Sequence, residues 1–287
     1  MKFFSYSVIL LTICVSTITA LTQRTITTCK SSSFKLFATA TKSASGTPSS
    51  DVTPKSVTAE IMQYFNQNAA ARKDSVFQKR LANEEVKGNI DGLHIITVLF
   101  QSARSKRLVK DLMPMKFLVD RLGSWNREWS ERDISMFVYG VRSLEGLDST
   151  EGDLLRLGAK KISESSAGLS SRAIGNALYG LQDITSDTDG AAALCAALAD
   201  KVEMFNGDLN GQDIGIGMYG LQGMSANVPE VRRLVGAIAT KISRSISELD
   251  SQATSNALYG LQVIIDMLKE IRYQIHPTTL KLNIMTS

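Results

Sequence analysis

Two histidines, His94 and His276, and three cysteines, Cys14, Cys29 and Cys195, are the residues of this 287-residue chain best suited to proton transfer, metal binding or nucleophilic attack. Neither histidine stands at a spacing that pairs it with a nucleophile, a carboxylate pair or a cysteine ligand. His94 lies in the apolar stretch LHIITVLF, where a lone imidazole is more often a core or boundary group than a base. No GxxxxGK loop that could cradle phosphates occurs, and GIGMYG falls inside a repeat. The sequence therefore points to no catalytic residue, no cofactor and no metal ligand. The chemistry left to it is binding.

Residues suited to binding recur at a fixed interval. Tyr-Gly stands at Tyr139-Gly140, Tyr179-Gly180, Tyr219-Gly220 and Tyr259-Gly260, every forty residues, and NALYGLQ is spelled twice, at 176–182 and 256–262. Around each tyrosine a polar stripe follows helical spacing. It reads Arg132, Met136, Tyr139, Arg142 in one repeat and Arg172, Asn176, Tyr179 in the next, with Gln182 and Asp183 beside them. The two later stripes are Gln212, Ile216, Tyr219, Gln222 and Gln252, Asn256, Tyr259, Gln262. A tyrosine face gives a stacking plane of about 1–3 kcal/mol per base, and Arg, Asn or Gln can bond a base edge, so the stripes suit a single strand. The same tyrosines are equally explained as packing between repeats, with the hydroxyl at the rim. Replacing Tyr179, Tyr219 and Tyr259 by Leu separates the two, since only a stacking role makes binding depend on them.

The elements that must carry these stripes are pairs of helices. A fixed period of this length marks a repeat array. Each first helix opens with a bulky apolar residue and an N-cap: Trp129-Ser130, Leu169-Ser170, Leu209-Asn210, Leu249-Asp250. Asp133 and Asp213 follow at the third helical position, where negative charge suits the dipole. Ile174, Leu178 and Leu181 give one buried face, predicting a helix over about 171–184. A glycine inside a helix costs about 1 kcal/mol relative to alanine, so its recurrence after each tyrosine predicts close approach of a neighbouring helix. Second helices align Leu154, Leu194, Leu234 and Ala159, Ala199, Ala239. Arg121, Lys161, Lys201 and Lys241 share a further column, near helix C-termini where a cation suits the dipole.

A degraded first unit is predicted at 95–103, with Phe100 in the tyrosine's place, and its second helix at about 109–122. The expected fold is all-α, a right-handed α-solenoid of two-helix repeats over 90–265. One or two capping helices within 56–89 precede it and an atypical cap or tail, 266–287, follows, interrupted by Pro277.

Residues 1–20 have the layout of a secretory signal peptide, with an apolar core too short for the roughly 20 residues a membrane span needs. Residues 21–55 are rich in Ser and Thr with no acid before Asp51, as in a transit peptide. Residues 1–50 hold five of the 32 basic residues and none of the 28 acidic ones, leaving 27 against 28, so the net charge of +4 does not argue for nucleic acid. Residues 123–265 carry 12 basic and 18 acidic residues, and residues 51–122 carry 12 and 8. Arg72-Lys73, Lys79-Arg80 and Lys106-Arg107 in the upstream part are candidate phosphate contacts. Only Cys195 lies beyond the presegments, which suits an organelle better than the cell exterior.

The stretches LSSRAIGNALYGLQ and LDSQATSNALYGLQ, within a repeat near forty residues, resemble the organellar helical-repeat RNA-binding proteins. These include the octotricopeptide repeats, the FAST-kinase-like and RAP-associated repeats, and the subunit-six-type domain of the RNA-editing substrate-binding complex. The resemblance covers about 90–265 and implies binding of single-stranded organellar RNA in transcript processing, stability or translation, with protein partners and no stable membrane association. The presegments together resemble the two-part presequence of plastid proteins in secondary-endosymbiotic algae, with Leu21 where Phe is usual. Secretion and mitochondrial import are the alternative destinations, and a protein-binding scaffold is the alternative function.

Overall fold

The computed structural model describes residues 56–67, 73–144 and 149–260. The presegments, Arg72, Gln262, His276, Pro277 and the tail lie outside them. Among the described residues the protein is all-helical, with eleven α-helices and no strand. In chain order they are α1 (Val57–Asn66), α2 (Asp74–Val86), α3 (Gly92–Arg104), α4 (Met115–Ser124), α5 (Glu131–Gly140), α6 (Ser149–Glu164), α7 (Ser171–Gly180), α8 (Ala191–Met204), α9 (Gly211–Gly220), α10 (Pro229–Arg244) and α11 (Ser251–Gly260). None is long and apolar enough to cross a membrane.

First helices pack on first helices, in the series α3, α5, α7, α9, α11, and second helices on second helices, in the series α4, α6, α8, α10. The apolar face predicted for the first helix is buried at Ile174, Leu178 and Leu181, and the second-helix column Leu154, Leu194, Leu234 is fully buried. The N-caps also form as the residue types predict. Ser130 accepts from the Asp133 amide, Ser170 from Ala173 at 3.3 Å, Asn210 from Asp213 at 2.8 Å and Asp250 from Ala253 at 2.7 Å.

Two boundaries differ from the sequence reading. The first helix ends at Gly180, not near 184, and Leu181 to Ile184 continue as a turn closed by Ile184 N donating to Leu181 O at 3.0 Å. Both ends of that turn are buried, so the apolar spacing that suggested a longer helix is satisfied without one. The second helix of the first unit does not run from 109. A 3-10 turn occupies Val109–Asp111, and α4 begins only after Pro114, which lacks an N–H and keeps the residue before it out of helical geometry.

The glycine after each tyrosine sits where two first helices meet backbone to backbone. A Cβ on Gly180 would lie 2.0 Å from Val138 O, on Gly220 2.0 Å from Leu178 O, and on Gly260 1.9 Å from Met218 O. On Gly140 it would lie 2.8 Å from Leu99 Cβ. Any side chain there would drive the neighbouring helix away.

The lysine column fastens the second helices. Lys161 Nζ donates to Trp125 O at 2.7 Å, Lys201 Nζ to Ser165 O at 2.5 Å and Ala167 O at 3.1 Å, and Lys241 Nζ to Glu203 O at 3.0 Å and to Phe205 O. The predicted cation stands in the last turn of its own helix, and its ammonium also bonds carbonyls at the C-terminus of the second helix of the preceding unit, 36 residues back. Lys201 is 2% exposed, and burial lowers its pKa.

Arg121, the same column one unit earlier, pairs with Glu85 of α2. In parallel, α1 packs on α3, and Gln101 Nε2 donates to Met62 Sδ at 3.1 Å. Helix α1 therefore stands in the first-helix series, while α2 is joined to α4 by the Arg121–Glu85 pair.

Candidate nucleic-acid interface

The helical register sorts the predicted binding residues into rows that cross the first helices. Nearest the helix N-termini, Arg132, Arg172, Gln212 and Gln252 each hold the second position of their helix, and all four are exposed. One turn on, Asn176 and Asn256 are half-buried, while Ile216 in the same row is buried. Near the C-termini stand Arg142, Gln182 and Gln222, all half-buried. The fourteenth candidate, Gln262, lies outside the described residues.

Between these rows runs a ladder of rings. Centroids lie 5.2 Å apart for Phe100–Tyr139, 5.8 Å for Tyr139–Tyr179, 6.2 Å for Tyr179–Tyr219 and 5.4 Å for Tyr219–Tyr259. Phe100 is thus the first rung, as its alignment predicts. The separations fall in the range favoured by directly interacting aromatic pairs. A base slipped between two rings would need about 7 Å, two carbon contacts of roughly 3.5 Å each. The rings lie against one another at interplanar angles from 26° to 56°, while Tyr259, the last described rung, is 56% exposed.

Arg142 is built into this ladder. Its guanidinium lies 4.4 Å from the centre of the Tyr179 ring and 5.5 Å from that of Tyr139, and Nε donates to Asp183 Oδ2 at 3.1 Å. The side chain is 14% exposed, so its charge is taken up in joining two units. Sequence reasoning named Arg142 and Asp183 separately. Their 41-residue separation was the one available sign that they meet.

The electrostatics of this face differ from those of the chain as a whole. Acids on the first helices are mostly turned to structural work. Asp133 is buried and accepts from Ser130 N at 2.9 Å and Arg127 Nη2 at 2.7 Å. Asp213 accepts from Ser171 Oγ at 2.7 Å, and Glu131 accepts from Ser170 N at 3.0 Å. Asp183 is matched by Arg142. Arg132 and Arg172 are left exposed without a partner among the described residues, while over α9 and α11 the same row holds the amides Gln212 and Gln252, with the carboxylates Asp208, Glu248 and Asp250 exposed nearby in the chain.

The remaining chemistry-bearing groups are structural. His94 Nδ1 accepts from Asp91 N at 3.2 Å while Asp91 accepts from His94 N, a reciprocal cap of α3. Cys195 is fully buried, and burial, followed by the charge of Glu230, pushes its thiol up to about 12. Among the described residues no cluster of His, Cys, Asp and Glu could hold a metal ion. No protein-family model matches the chain, and neither does a curated protein or a solved structure.

Proposed function

We propose that this chain is a non-catalytic helical-repeat protein whose first-helix face binds single-stranded RNA. The observation that carries the reading is the exposed row Arg132, Arg172, Gln212, Gln252, with two cations and two amides held one per repeat. Cations neutralise phosphates and amides bond base edges, while helices packed at a regular interval set the spacing between them. The packing of first helix on first helix and second on second supports a right-handed α-solenoid. The presequence-like N-terminus supports delivery to a plastid, where such a protein would act in transcript processing, stability or translation as part of a larger complex.

The tyrosines have a different role in this reading from base stacking: they set the distance between rows. RNA lies across their edges, held by the polar rows on either side. Substituting both arginines, Arg132→Gln with Arg172→Gln, is expected to weaken binding of an unstructured RNA at least tenfold at low salt with helix content unchanged. Equal affinity of the double variant and the parent would remove the first-helix face from RNA binding.

One observation favours a protein-binding scaffold as the second reading. Residues 123–265 carry 18 acidic against 12 basic residues. Such a surface would take a basic or amphipathic partner segment, and RNA affinity would then be absent at any salt concentration.

A further inference from the structure

At the N-terminal end of the array the charges divide unequally between structure and solvent. Asp74 pairs with Arg107 at 2.5 Å, and Arg107 also donates to the Tyr64 hydroxyl at 2.5 Å. Glu84 accepts from Lys87 and from Asn89 at 2.6 Å each, Glu85 pairs with Arg121, Asp91 caps α3 with His94, and Asp120 pairs with Lys116 at 3.2 Å. Glu60 and Asp111 are the remaining described carboxylates of this end. Lys73, Lys79, Arg80 and Lys106 are all exposed and engage no carboxylate among the described residues. Arg104 is exposed too, with its guanidinium 5.7 Å from the centre of Phe100, the first rung of the ladder.

The fold brings the two segments that carry most of these cations side by side. The Arg107–Asp74 pair ties the loop after α3 to the start of α2, and Gln78 Nε2 donates to Asp111 O at 2.8 Å one turn further on. The stretch that holds Lys106 therefore runs beside the one that holds Lys73, and Lys79 and Arg80 follow Gln78 along α2.

The backbone at Lys106 adds an independent observation. It is the one described non-glycine residue with positive φ, +53°. Arg107 N donates to Ser102 O at 2.9 Å and Lys106 N to Ala103 O at 3.1 Å, the pair of bonds that ends a helix on a left-handed residue, usually glycine. A lysine held in that strained slot is poorer for stability than glycine, which is the pattern expected where a side chain is kept for use.

We infer that Lys73, Lys79, Arg80 and Lys106, continued by Arg104 onto the ladder, anchor the phosphate backbone of the RNA at the head of the array. This rests on the RNA reading above and adds polarity to it. The strand is fixed by charge at the α2–α3 end and meets the amides Gln212 and Gln252 toward α11, so affinity is concentrated at one end and base-edge contact at the other.

The test uses the full chain and poly(U), with heparin and an acidic peptide as controls. The variant carrying Lys73→Gln, Lys79→Gln, Arg80→Gln and Lys106→Gln is expected to flatten the slope of log affinity against log salt. Each phosphate of a single strand that is no longer neutralised flattens it by about 0.7, so four give up to about 2.8. Lys106→Gly alone is expected to raise the melting midpoint by about 2–4 °C while weakening poly(U) binding. A parent that binds poly(U) and a fourfold variant with the same slope would overturn the anchor while leaving the first-helix reading intact. A fourfold variant that loses only the acidic peptide would overturn it in favour of a protein partner. A parent that binds no RNA at low salt would remove both readings together.

Discussion

Glycine shows most sharply how position overrides propensity at the scale of the single residue. Alanine is the better helix former by about 1 kcal/mol, and at Gly236 of α10, where nothing lies within 4 Å of an added Cβ, Gly236→Ala should gain about that much. At Gly220 the same change meets Leu178 O at 2.0 Å and Tyr179 Cα at 2.5 Å. Neither is a side-chain end that can swing aside, so Gly220→Ala is expected to cost about 3 kcal/mol. Urea unfolding of the two variants should move the midpoint in opposite directions. Cys195 makes a second residue-scale prediction. Fully buried and with its thiol pushed up to about 12, it should resist alkylation at pH 8 in the folded protein and react at once in denaturant. Its ordinary pKa in the unfolded chain lies lower, so the folded state holds the proton more tightly and this contribution to stability is lost as pH rises from about 9 through 12.

Among the elements, the second helices depend on polar bonds that the sequence presents only as a column of cations. Lys201→Met keeps the buried stem but leaves Ser165 O and Ala167 O without their donor, at a cost of about 1–3 kcal/mol. Lys161→Met, at a half-buried position where water can replace the amine, should cost less, and thermal melting ranks the two. The column was legible because the period keeps Lys161, Lys201 and Lys241 in register, but its partner was not. A bond between one helix and the end of another 36 residues earlier is set by how the units stack, and the period alone does not fix that. Helix caps, by contrast, depend on three or four adjacent residues and were readable one by one. The break at Pro114 is set by the proline itself, which lacks an N–H and restricts the residue before it. The two helices before the array, α1 and α2, were legible as helices within 56–89 although neither carries the Tyr-Gly that marks the units.

For the molecule as a whole, the forty-residue period made visible which side chains share a row but not what those rows face. Arg142 and the tyrosines have the types that suit nucleic acid, and the stacking of one unit on the next directs them to each other. The bulk charge misleads in the other direction. Residues 123–265 are acidic in sum, yet the acids of the first helices are taken up in caps and pairs, leaving Arg132 and Arg172 facing solvent. Function at this scale therefore depends on which charges remain after the structure has used the others. A salt titration of full-length protein against an unstructured single-stranded RNA reads that remainder directly. The expected result is binding at low salt that falls steeply as salt rises, by about 0.7 in log affinity per log unit of salt for each phosphate contact. No binding at low salt, or an affinity indifferent to salt, would contradict RNA binding by this face.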